Sequence, residues 1–222
     1  MMSKNQGKLW VWRYLPMDIG RLILWFLPLL YRFRRYDVAG APCKNKRKGP
    51  MLVVANHASF LDPLLVGSCF WYRRVFFLAA EAVMRNPIIA WLLRGAGCIK
   101  IDRNISDIEA VRKAVDVLKD GRCLAMFPQG GISHDEEFSQ IKSGAILIAL
   151  RAGVPIVPMY SSRKHTPWYR PTAAVIGEPM DCREYCKKTM PTMSEIEAAS
   201  AALLARLEEC RKAYYALEGN HE

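Results

Sequence analysis

The sequence predicts an α/β fold: a mixed, largely parallel sheet flanked by helices, preceded by an N-terminal helical segment that associates with membranes. Three observations predict it. After residue 50, short apolar runs alternate with helix-period segments, the pattern from which parallel sheets with crossover helices are built. Hydrophobic residues make up 51% of the 222 and charged residues 24%, enough for one sizeable core and too apolar for a disordered chain. The net charge of +11 is lopsided. Residues 1–50 hold eleven Lys and Arg against Asp18 and Asp37, which is +9 and leaves only +2 for the rest. A basic end on a near-neutral body points to an anionic partner at that end.

Residues 1–48 form the first segment. Its longest apolar run, Leu22–Tyr31, is ten residues between Arg21 and Arg32. As a helix it would be about 15 Å long, half of a bilayer's hydrocarbon thickness, so it cannot cross alone. No small-residue cleavage site follows it, which argues against a secretory signal. Trp10, Trp12, Tyr14, Trp25, Phe26, Tyr31, Phe33 and Tyr36 are interleaved with Arg13, Arg21, Arg32, Arg34 and Arg35. Aromatic rings favour the interface and arginines reach phosphates from there, so the segment suits a helix or helix pair in one leaflet. The expected location is a membrane surface, peripheral or monotopic, on the cytoplasmic face. A pI near 9.4 also raises a nucleic-acid-binding module as a rival. Against it, the charge sits at one end among long aliphatics such as Leu22, Ile23, Leu24 and Leu27, so lipid rather than nucleic acid is the expected partner.

Residues 49–222 read as one catalytic-sized domain. Strands are expected at Met51–Ala55, Val75–Ala79, Ile99–Ile101, Leu124–Phe127, Ile156–Tyr160 and Ala173–Ile176, where apolar and β-branched residues cluster. The clearest helix is Ser106–Lys119. Ser106 and Glu109 make a capping box, Ile108, Val111, Val115 and Leu118 form one face, and Gly121 closes it. A second helix follows Gln140 and ends at Gly153. A third runs from about Ser194 to Leu217, opened by a box of Ser194 and Glu197. The seven cysteines (43, 69, 98, 123, 182, 186 and 210) include no C-x-x-C spacing and sit partly in apolar runs. They predict buried thiols in a reducing compartment, with no disulfide framework and no metal site.

The strongest chemical signal follows the first strand of this domain, Asn56-His57-Ala58-Ser59-Phe60-Leu61-Asp62. On one regular helix His57 and Asp62 would point about 140° apart, but a strand-to-helix turn bends the chain so that they can meet. Two readings stand on spacing alone. Asp62 caps a helix, with Pro63 at its first turn, and His57 is structural. Alternatively Asp62 orients His57 as a general base for a substrate hydroxyl. No G-x-S-x-G elbow exists, which argues against a serine hydrolase. Two further segments suit either an anionic substrate or ordinary strand-ending turn chemistry. Lys100 and Arg103 flank a strand end as phosphate ligands, and Phe127-Pro128-Gln129-Gly130-Gly131-Ile132-Ser133 is a strand followed by a glycine turn whose N–H groups can cradle an anion or oxyanion. Val154-Pro155-Ile156-Val157-Pro158 reads as wall.

Taken in order, these segments resemble the lysophosphatidate (1-acylglycerol-3-phosphate) acyltransferase family over roughly residues 50–180. The family's N-H-x-x-x-x-D block is matched in full by Asn56, His57 and Asp62, its second block by Lys100 and Arg103, and its V-P-I-V-P strand by residues 154–158. The third block, usually F-P-E-G-T-R-S, departs. Gln129 stands for the acid, Gly131 for the threonine and Ile132 for the arginine, so an acid and a base vanish together. The resemblance implies direct acyl transfer to a lysophospholipid hydroxyl, with His57 as base and Asp62 as its orienting group. Asn56, Lys100, Arg103, Gln129, Gly130, Gly131 and Ser133 would then bind substrate. Acyl-CoA or acyl-carrier protein serves as co-substrate, with no metal or other cofactor. The altered block keeps two alternatives open, a different lysolipid or non-phosphate acceptor and an inactive lipid-binding member; separately, a hydrolase in which water replaces the acceptor hydroxyl is a rival.

Overall fold

In the computed structural model the described residues are 18–19, 34–43, 47–59, 62–80, 84–95, 97–101, 108–128, 143–162, 173–186 and 191–219. In chain order they form β1 (Arg34–Tyr36), β2 (Met51–Ala55), α1 (Asp62–Cys69), β3 (Val75–Ala80), α2 (Pro87–Gly95), β4 (Cys98–Ile101) and α3 (Ile108–Lys119). There follow β5 (Cys123–Met126), α4 (Gly144–Ala152), β6 (Ile156–Tyr160), β7 (Ala173–Ile176) and α5 (Met193–Gly219). The strands make one seven-stranded sheet, ordered β1-β7-β6-β2-β5-β3-β4. Every neighbouring pair is parallel except β6 with β7. This is the mixed, largely parallel sheet that the alternating pattern predicts.

β2 lies at its centre, and all five residues are 2% exposed or less. Period-two alternation divides them between two cores. Leu52 and Val54 join Leu124, Ile156, Leu118, Ile146 and Leu203 under α3, α4 and α5. Met51, Val53 and Ala55 face Val66 and Cys69 of α1 with Ala125 and Val157. A strand buried on both faces reads as an unbroken apolar run, which is why its position was legible. Truncating Leu52 to Ala would open a cavity costing about 2–5 kcal/mol.

Several boundaries differ from expectation for identifiable reasons. β1 was not foreseen. Arg34–Tyr36 falls within the segment expected to be helical and membrane-associating, yet it pairs in parallel with β7 in register Arg34↔Ala173. Arg35, expected to reach lipid phosphates, sends Nη1 to the carbonyl of Cys69 at 2.7 Å, where a cation suits the end of α1. The box expected at Ser194 and Glu197 lies two residues earlier. Thr192 Oγ1 accepts from the N–H of Glu195 at 3.3 Å, and Glu195 Oε2 accepts from the N–H of Thr192 at 2.8 Å. The box expected at Ser106 lies outside the described residues, although its helix is present as α3. α4 ends on Gly153, as expected, at φ 67° in the left-handed region. α5 packs against the β7 side of the sheet through Gly177, where an added Cβ would come within 2.8 Å of Cys210 Sγ and Pro158 Cγ.

Candidate active site

β2 and β5 are neighbours, but the helices that follow them pack on opposite faces, α1 on one and α4 on the other. Divergence of this kind opens a crevice at the carboxyl ends of the strands, where α/β proteins place ligands. Three chain segments meet at this edge: residues 56–59 after β2, Phe127 after β5, and Ser161 after β6.

His57 and Asp62 do meet. His57 Nδ1 is 3.0 Å from Asp62 Oδ2, and the same oxygen accepts from the N–H groups of Ala58 and Ser59 at 2.7 Å each. The N–H of Asp62 donates to the Ser59 carbonyl at 3.1 Å, closing the turn. The carboxylate therefore points back into the loop that carries His57. A helix cap would instead aim at the helix's own next turn. The Asp62 side chain is only 1% exposed, so three donors on one oxygen offset a desolvated charge. Among the described residues, Oδ1 is buried with no hydrogen-bond partner. An ionised carboxylate at Nδ1 requires that nitrogen to carry the proton, which puts the ring's lone pair on Nε2.

The ring is also fixed from its face. Phe127 stacks on His57 with centroids 4.3 Å apart and planes 20° from parallel. Stacking restricts rotation about the bond that carries the imidazole. Phe127 was expected only as a strand end. Its sequence signal was its place just after β5, but the adjacency of β5 and β2 is a property of strand order.

Asn56, expected among the substrate contacts, is 5% exposed, and its carboxamide is engaged by both backbone groups of Ser161. Lys100 lies on the exposed side of edge strand β4, paired with Ala79. Three inter-strand spacings separate β4 from β2, about 14 Å, so the structure does not bring Lys100 beside His57. Arg103, Gln129, Gly130, Gly131 and Ser133 lie outside the described residues.

All seven cysteines are free thiols. Burial pushes Cys98, Cys123, Cys182 and Cys210 up to about 12, the environment of inert packing thiols rather than nucleophiles. Among the described residues, no helix is long and apolar enough to cross a membrane.

Residues 39–162 match the family model described as Acyltransferase. The chain is 28% identical over 138 residues to the chloroplastic 1-acyl-sn-glycerol-3-phosphate acyltransferase of Brassica napus, covering 61% of this chain and 40% of that protein. It is 33% identical over 109 residues to the 1-acyl-sn-glycerol-3-phosphate acyltransferase of Streptococcus pneumoniae, covering 49% and 40%. The chain thus spans about two fifths of the length of each of these relatives. Among solved structures, the 1-acyl-sn-glycerophosphate (LPA) acyltransferase of Thermotoga maritima shares the fold. Its TM-score is 0.56 at 22% identity, over 88% of this chain and 78% of that one.

Proposed function

The chain belongs to the acyltransferase family, and from that premise we propose that it moves a fatty acyl group from a thioester to the free hydroxyl of a lysophospholipid, 1-acylglycerol-3-phosphate, giving phosphatidate. The observation that carries the reading is the buried Asp62 carboxylate held 3.0 Å from His57 Nδ1 at the carboxyl end of β2. Nε2 of His57 takes the acceptor's hydroxyl proton as the oxygen attacks the thioester carbonyl carbon. The C–O bond forms, the C–S bond breaks as the tetrahedral intermediate collapses, and the imidazolium returns its proton to the departing thiolate. Asp62 keeps the imidazole in one tautomer and stabilises its protonated form. On this reading the backbone N–H groups of Gly130 and Gly131 serve as oxyanion donors, Gln129 and Ser133 contact the substrate, and Arg103 binds the acceptor phosphate, with Lys100 reaching it from edge strand β4. The thioester is acyl-CoA or acyl-carrier protein, and no metal or redox cofactor takes part.

The substitutions at Gln129, Gly131 and Ile132 favour a second reading, in which the same chemistry acts on a lysolipid with another headgroup. Both readings place the protein at a membrane surface through its basic, aromatic N-terminal residues. The test is acyl transfer from labelled acyl-CoA and acyl-carrier protein to a panel of lysolipids in mixed micelles, with His57→Ala alongside. Transfer to lysophosphatidate that vanishes in His57→Ala supports the first reading, and transfer only to another lysolipid supports the second. Near-wild-type turnover in His57→Ala refutes the role of the base.

A further inference from the structure

A second set of buried polar groups ends on the loop that carries His57. The register between β2 and β6 stops at Ala55↔Met159, and the next residue, Asn56, continues it with its side chain. Asn56 Nδ2 donates to the carbonyl of Ser161 at 2.7 Å, and Asn56 Oδ1 accepts from the N–H of Ser161 at 2.9 Å. The carboxamide therefore does what the next rung of the ladder would do, while the main chain at His57 turns out of the sheet. One residue further along, the Ser162 carbonyl accepts from the Tyr214 hydroxyl at 2.8 Å. Tyr214 belongs to α5, and its ring stands edge-on to Tyr160 at 5.4 Å and to Tyr215 at 5.5 Å. Asn56, Ser161, Ser162 and Tyr214 are each 5% exposed or less. Apolar residues would fill such a space without desolvating polar atoms, so hydrogen bonds here serve to define position.

Resting on the reading of His57 as the base, we infer that Asn56 and Tyr214 are positioning residues for it, acting through Ser161 and Ser162. Tyr214 fixes the end of β6 against α5, Ser161 holds the Asn56 carboxamide, and Asn56 sets where the His57 main chain departs. A base must be held to within about half an ångström of its productive geometry. Asp62 orients the ring relative to its own loop, Phe127 packs it against the end of β5, and the Asn56–Ser161 clamp ties the loop to β6.

The experiment compares the full chain with Tyr214→Phe, Asn56→Ala and His57→Ala by steady-state acyl transfer and by ¹⁵N spectra of the imidazole rings. The chain has four histidines, so the signals lost in His57→Ala identify that ring. Tyr214→Phe deletes one hydroxyl and keeps the ring packing, and it carries the test alone if Asn56→Ala does not fold. The expected result is a kcat lowered about 3–10-fold in Tyr214→Phe and about 10–100-fold in Asn56→Ala. KM for the acyl donor stays within about twofold, because uniform binding is untouched. The His57 ring signals shift as the ring loosens from the face of Phe127, while the Nδ1–H tautomer set by Asp62 is kept. Wild-type kcat with unchanged His57 signals in the folded variants would overturn the inference, as would a loss of kcat tracking thermal stability while the ring signals stay fixed. If the wild type acylates no acceptor, the acyl-transfer reading falls on its own, and the ring spectra still decide whether Asn56 and Tyr214 position His57.

Discussion

Replacing Asp62 by Asn separates the charge of the carboxylate from its shape. The new side chain keeps an oxygen that can accept from Ala58 and Ser59, so the loop retains its form. What disappears is the negative charge beside the imidazolium that the proposed transfer forms. With Nδ1 and Oδ2 3.0 Å apart and the charge centres nearer 4 Å, an effective dielectric of about 20 gives roughly 4–5.5 kcal/mol. At 1.36 kcal/mol per decade this predicts a fall in kcat of about 10³–10⁴-fold. The amide nitrogen would occupy the place of Oδ1, which has no hydrogen-bond partner among the described residues, so a buried unsatisfied donor should cost about 1–3 kcal/mol of stability. The assay is kcat and kcat/KM for acyl transfer in mixed micelles, with His57→Ala as the floor and thermal melts by circular dichroism as the control. A folded Asp62→Asn protein within tenfold of wild type would refute the reasoning, because Asp62 would then be a loop brace and no more.

Other perturbations test neighbouring links. Phe127→Ala removes the ring stacked on His57, and a loss of about 0.5–1.5 kcal/mol should lower kcat roughly 2–10-fold, while Phe127→Tyr keeps most of it. Gly177→Ala places a Cβ against Cys210 and Pro158 and should cost about 1–3 kcal/mol by urea melts, with partial recovery in the Gly177→Ala/Cys210→Ala double variant. Cys98, Cys123, Cys182 and Cys210, held up to about 12, should resist iodoacetamide at pH 8 in the native protein and react in guanidinium, as read by intact mass. Removing residues 1–33 should reduce liposome sedimentation and leave the core's circular dichroism intact, whereas extending the cut to residue 36 also removes β1 and should lower the melting temperature. Equal sedimentation of truncated and full chains would rule out the membrane role of that segment.

Local chemistry by itself determined much of this protein. Five buried apolar residues in a row marked β2, Gly153 marked the end of α4, and the His57–Asp62 spacing after a strand marked two side chains that meet, because each signal lies within a few residues of its consequence. Tertiary structure alone decided the rest. Arg34–Tyr36 is too short and too charged to announce itself as a strand, and it becomes one only because β7 offers a partner 139 residues away in register. The same holds for Phe127 on the face of His57, for Ser161 gripping Asn56 across 105 residues, and for Lys100 standing three strands from His57. Each depends on strand order, and strand order is set by how helices cover the two faces of the sheet, a balance that no local stretch of sequence contains.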